Sequence, residues 1–131
     1  FAGKKTVLAF FPAAFSGICD TEMCSFRDSM ADLNDLNANV VGISVDAPFA
    51  NAEFATRHGL QFPVLSDYRR EAVKEYGVEL ENFAGLEGLT VAQRSVFILD
   101  EAGTVRWSWI AEKASILPDY DAIKQQLASI G

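Results

Sequence analysis

Residues 4–11 read KKTVLAFF, a charged start that runs into an apolar stretch with no polar interruption. A strand with one wet face alternates apolar and polar side chains, so an unbroken run marks a strand covered on both faces. Residues 40–45 (VVGISV) and 95–100 (SVFILD) carry the same signal. Strands covered twice need helices on either side of the sheet, and the intervening sequence supplies them. Pro12 ends the first run. Across residues 17–37, Met23, Phe26, Met30 and Leu33 recur at spacings of three and four, the stripe of an amphipathic helix.

Pro48 opens a second helix that stops at Gly59. PVLSD at 63–67 reads as a short strand, and residues 69–76 as a helix closed by Gly77. Residues 78–93 show no period, hold Gly85 and Gly88, and are expected to be loop. After the strand at 95–100, Glu101-Ala102-Gly103 turns the chain into an antiparallel strand in which Val105, Trp107 and Trp109 alternate with polar residues. Pro118 is expected to open the last helix, with Tyr120, Ile123, Leu127 and Ile130 at helical spacing. The order β-α-β-α-β-α-β-β-α describes a three-layer α/β fold, a central mixed β-sheet flanked by helices, resembling the thioredoxin fold. At this length residues 1–131 are expected to form one domain.

The charge balance narrows the partners. Eleven basic against 18 acidic side chains leave a net charge of −7, with no basic cluster, which disfavours nucleic acid and anionic membrane surfaces. The longest apolar run, Val7 to Phe15, is interrupted by Pro12 and falls far short of a membrane span. A soluble chain is expected, and the cytoplasm as its compartment. Two cysteines and one histidine cannot make a closed structural zinc site, which takes four such ligands, so no metal is expected. A CxxC pair is absent, which disfavours a disulfide reductase.

Chemistry concentrates between Pro12 and Cys24, where the first strand passes into the first helix. Cys19 falls in the opening turn of that helix, where free N–H groups and the positive end of the dipole favour the thiolate, the nucleophilic form. Pro12 fixes the exit from the strand, and Ser16 offers a hydroxyl three residues before the sulfur. Plainer readings stand beside these. Cys19 is also compatible with a small buried hydrophobe, Cys24 with a bystander thiol, and Ser16 with a helix N-cap. Glu22 is compatible with a solvated helix residue and Arg94 with a surface ion pair. His58 suits a helix C-terminus and is given no catalytic role; Trp107 and Trp109 are expected to cover core.

Pro12-x-x-x-Ser16-x-x-Cys19 resembles the peroxiredoxin signature, in which a proline, a threonine or serine and a peroxidatic cysteine form the active-site loop. The likeness continues through Glu22, Phe26-Arg27-Asp28, VVGISVD at 40–46, FPVLSD at 62–67, YGV at 76–78 and RSVFILDEAGTVR at 94–106. Ser16 stands where threonine is commoner, and the short β-hairpin that typical members carry ahead of this point is not in the sequence. Cys19-x4-Cys24 is similar to the bacterioferritin comigratory protein (PrxQ) subgroup, whereas FPAAFSGIC is closer to alkyl hydroperoxidase E.

The resemblance implies a thiol peroxidase for hydrogen peroxide and organic hydroperoxides. It makes Cys19 the nucleophile that becomes a sulfenic acid, Cys24 the resolving cysteine and Arg94 the arginine that approaches the active-site loop. Glu22 is placed to hold that guanidinium, and a thioredoxin-like protein is the expected reductant. No cofactor is implied, and either a monomer or a homodimer suits the reading. A peroxide-sensing switch with a reactive Cys19 and little turnover is the alternative. In an ideal helix, Cα atoms five residues apart stand about 8.7 Å from one another, and a disulfide needs less than about 7 Å. The helix is therefore expected to open before Cys19 and Cys24 can bond.

Overall fold

In the computed structural model the described residues are 4–113 and 115–130, without the side chains of Met30 and Ala31. Strand β1 (Lys5–Phe10) is buried at all six positions, as an unbroken apolar run requires. It lies at the centre of a five-stranded sheet. Strand β2 (Ala38–Ser44) runs parallel to β1, and β3 (Val64–Ser66) parallel to β2. On the other side β6 (Ser95–Leu99) is antiparallel to β1, with Leu8 opposite Phe97, and β7 (Val105–Ile110) closes the edge as the antiparallel partner of β6. The sheet is mixed, as expected.

Alternation along β1 divides the core. Val7, Ala9 and Phe11 face one layer with Met23, Phe26, Phe54, Ile123 and Leu127, whereas Leu8 and Phe10 face the other with Val41, Ile43, Val73 and Phe97. Each face is thus dry, and burying a side chain such as Phe10 contributes about 1.5–3 kcal/mol. Trp107 and Trp109 are half-buried against the first layer, which fits the role of core cover.

Three expectations about boundaries are corrected. The helix expected across 17–37 is two helices, α1 (Ile18–Asp28) and α2 (Met30–Asp35), parted at Ser29, where ψ is 2°. Phe26 and Leu33 are buried on either side of that break, so the stripe continues through it. Residues 78–93 are not all loop: β4 (Glu79–Leu80) and β5 (Val91–Ala92) pair as an antiparallel ribbon, with Val78, Val91 and Ala92 buried. Pro118 lies ahead of the last helix, α5 (Tyr120–Ser129); Asp119 caps it, its side chain accepting from the Ala122 N–H at 3.1 Å. Helix α3 (Pro48–Arg57) begins at its proline and has His58 as its C-cap, before Gly59 at φ +62°. Helix α4 (Glu71–Glu75) covers the second layer through Val73. No helix among the described residues is long and apolar enough to cross a membrane.

Candidate active site

The chain leaves β1 with Phe11, whose N–H donates to Ile43 O at 3.0 Å, and passes through buried Pro12 into an exposed turn. Asp46, just past the end of β2, accepts from the Ala14 N–H at 2.8 Å and ties this turn to the sheet. Asp46 is steadied in its turn by the Ser44 hydroxyl, also at 2.8 Å. Phe15 at φ +63° and Gly17 at φ +78° then redirect the backbone into α1. Gly17 is the N-cap, and the second residue of the helix is Cys19.

Cys19 is 1% exposed, packed with Met23 and Phe26. Burial alone fits the reading of a small hydrophobe. The neighbour of its sulfur does not. Arg94, the residue immediately before β6, is also 1% exposed, and its Nη2 donates to Cys19 Sγ at 3.1 Å. Its Nη1 donates to Glu22 Oε1 at 2.6 Å, and Glu22 is fully buried one turn after Cys19. Burying a guanidinium costs several kcal/mol unless anions meet it, so the positive charge is here for its partners.

The electrostatics agree with that geometry. Burial pushes the Glu22 carboxyl up to about 7, against the pull of Arg94, which lowers it. Burial works against the charge on Arg94, but Glu22 and Cys19 together outweigh it and hold the guanidinium above its ordinary range. One buried cation is therefore shared by the Glu22 carboxyl and the Cys19 sulfur.

The structure brings Cys19, Glu22 and Arg94 together, from positions as far as 75 residues apart. Pro12 and Ser16 lie on the loop before them. The Ser16 hydroxyl is exposed and donates to Ala13 O at 2.7 Å, and it does not cap α1. Cys24 is placed elsewhere, half-buried on α1, with its sulfur 3.6 Å from His58 Nδ1. His58 sits at the C-cap of α3, as its position before Gly59 suggested, yet its ring reaches across to α1. Its Nε2 lies 3.2 Å from Asp20 Oδ2. The sequence reading overlooked this contact and the part played by Asp46. Asp46 had a signal in the run VVGISVD; for His58 and Asp20, separated by 38 residues, the sequence carries none.

The site is a buried helix-start cysteine facing a buried arginine on a thioredoxin-like sheet. Comparison with known proteins gives the class, the thiol-dependent peroxidases. The chain belongs to the AhpC/TSA family, whose model matches residues 1–108. A thiol peroxidase of Corynebacterium glutamicum is 36% identical over 123 residues, 93% of this chain and 72% of that protein. The chloroplastic peroxiredoxin Q of Populus jackii is 38% identical over 106 residues, 81% of this chain and 47% of that protein. Among solved structures, peroxiredoxin Q of Xanthomonas campestris superposes with a TM-score of 0.84 at 26% identity, over 98% of this chain and 80% of that one.

Proposed function

We propose that the chain reduces hydrogen peroxide and organic hydroperoxides by a two-cysteine cycle in which Cys19 is oxidised first and Cys24 resolves it. The Cys19 thiolate attacks one oxygen of the peroxide, the O–O bond breaks, and water or an alcohol leaves, with a sulfenic acid on Cys19. The observation that carries this reading is the buried Arg94 guanidinium aimed at Cys19 Sγ and braced by Glu22. That donor stabilises the thiolate and stands beside the oxygen on which charge develops. The Ser16 hydroxyl spends its hydrogen on Ala13 O, which leaves its oxygen to accept from the peroxide O–H. Pro12 holds the loop's exit from β1.

Cys24 then condenses with the sulfenic acid to a disulfide, and a thioredoxin-like dithiol protein returns both cysteines to thiols by exchange. No cofactor takes part in these steps. All the side chains invoked belong to one chain, so a monomer and a homodimer serve equally, and a thiol cycle of this kind suits a reducing compartment such as the cytoplasm. The test is a coupled assay with thioredoxin and its reductase, using hydrogen peroxide and an organic hydroperoxide in turn. Many turnovers per chain support the reading; consumption that stops after one equivalent contradicts it and makes the protein a peroxide-sensing switch.

A further inference from the structure

The chain has one histidine, and its ring is held between two side chains of α1. Nδ1 is 3.6 Å from Cys24 Sγ and Nε2 is 3.2 Å from Asp20 Oδ2. A carboxylate only accepts, so the ring hydrogen lies on Nε2. In the neutral imidazole that leaves Nδ1 as a bare acceptor, and the Cys24 thiol is the group that donates to it. The ring is fixed in this pose by Phe54, edge-on at 4.9 Å, and by Phe15 at 6.4 Å. The His58 carbonyl accepts from Arg27 Nη1 at 2.7 Å, so α1 and the end of α3 are joined at three points. The second oxygen of Asp20, Oδ1, is buried with no hydrogen-bond partner among the described residues.

We propose that His58 is the base for the second step of the cycle: it takes the Cys24 proton as that thiol attacks the Cys19 sulfenic acid, Asp20 having oriented the ring while the helix is closed. The proposal rests on the reading of Cys24 as the resolving cysteine. A bond forms between the two sulfurs, the S–O bond of Cys19 breaks, and the hydroxyl leaves as water with the proton that His58 took. No further oxidant enters, because the peroxide has already removed two electrons from Cys19. The arrangement also fits the motion the disulfide demands. Cys19 is at the second position of α1, whereas Cys24 is followed by four more helical residues, so the end that swings is the one bearing Cys19. Cys24 stays against its base. Asp20 leaves with Cys19 as the helix opens, after it has placed the ring hydrogen on Nε2.

Among the described residues, the charged groups tied to this pair are Asp20 and Arg27 on α1, with Asp28 paired to Arg27 at 3.0 Å, and Arg57 on α3, paired to Glu53 at 3.0 Å. Arg57 lies over the Phe15 ring at 5.6 Å, and the Arg27 guanidinium is near enough to Cys24 to feel its charge. A guanidinium stays protonated and only donates, so neither arginine takes the Cys24 proton.

The test compares wild type, His58→Gln and Asp20→Asn after one equivalent of hydrogen peroxide. Quenched samples read by mass spectrometry give the rate of the Cys19–Cys24 bond separately from the oxidation of Cys19. At pH about 7 the bond should form about tenfold or more slowly in His58→Gln, with a smaller loss in Asp20→Asn. Both gaps should close near pH about 10, where a thiol ionises unaided. In a Cys19→Ser background, alkylation of Cys24 by iodoacetamide should show the same dependence on His58 and on pH. Should His58→Gln fail to fold, His58→Asn carries the same comparison. Equal bond-forming rates with and without His58 across the neutral range overturn the proposal alone. A wild type that forms no Cys19–Cys24 bond overturns the resolving reading and this step with it.

Discussion

Replacing Arg94 by alanine separates what that arginine does for the fold from what it does for the sulfur. At 2.6 Å and an effective dielectric of about 20, its attraction to Glu22 is about 6 kcal/mol before the cost of burying either charge. Removing one partner of such a pair costs about 3–5 kcal/mol, because the other is left uncompensated. In a domain of this size that is a fall in Tm of about 10 °C or more. The orphan can save itself by taking a proton. With Arg94 present, burial already pushes Glu22 up to about 7, and without the guanidinium nothing holds it down. A folded-state value raised above the unfolded one gives stability that is present at low pH and lost as pH rises through the folded value. Arg94→Ala should therefore be more stable near pH 5 than near pH 8, and adding Glu22→Gln should flatten that slope and recover part of the loss. The chemistry should not recover. Both the single and the double variant lack the donor at 3.1 Å from Cys19 Sγ, and losing such a donor at a reacting atom costs about 100- to 1,000-fold in rate. Thermal melts across pH and single-turnover oxidation by stopped flow measure the two quantities. A double variant that regains the parent's oxidation rate would show that Arg94 serves Cys19 only by holding the fold.

Other outcomes follow from the same contacts. Cys19→Ser should abolish peroxide reduction in the coupled assay, since a serine hydroxyl at neutral pH does not supply the nucleophile a thiolate does. Glu22→Gln alone should remove a stability contribution of about 3 kcal/mol that in the parent is present below pH about 4.5 and lost as pH rises through about 7. Urea melts at both ends of that range check it, and an unchanged slope would mean that Glu22 does not titrate there. Oxidation should lower hydrogen-exchange protection across residues 17–25 and leave α3 and α5 protected, because both cysteines lie on the one helix α1 and its geometry keeps their Cα atoms too far apart to bond. Unchanged protection in a protein shown by mass spectrometry to carry the bond would contradict that account.

The fold was legible where burial is two-sided and local pattern is long. The unbroken run through β1 marks a central strand, and the alternating tryptophans of β7 mark a strand covered on one face. Ser29 gave no warning of the break between α1 and α2, because neither proline nor glycine marks it and the apolar stripe runs on through Phe26 and Leu33. Strands of two residues, β4 and β5, are too short for any period to show. In the site, the helix-start position of Cys19 could be read from its own neighbourhood. Its contact with Arg94 could not, since 75 residues intervene, and it entered only through resemblance to a family. The place of His58 before Gly59 marks a helix end, which is where its backbone lies, while its side chain answers to Cys24 and Asp20 on another helix. Side-chain partners across elements are a property of the packed layers, and no local spacing encodes them.

The most direct test of the central claim, that Cys19 is the atom peroxide meets first, is a dimedone trap on Cys24→Ser. With the resolving thiol gone, one equivalent of hydrogen peroxide should leave a lasting sulfenic acid, and peptide mapping should place the dimedone adduct on Cys19 alone, with thioredoxin-linked turnover reduced. An unlabelled Cys19 would contradict the account at its centre, and full thioredoxin-linked turnover by Cys24→Ser would remove Cys24 from the cycle.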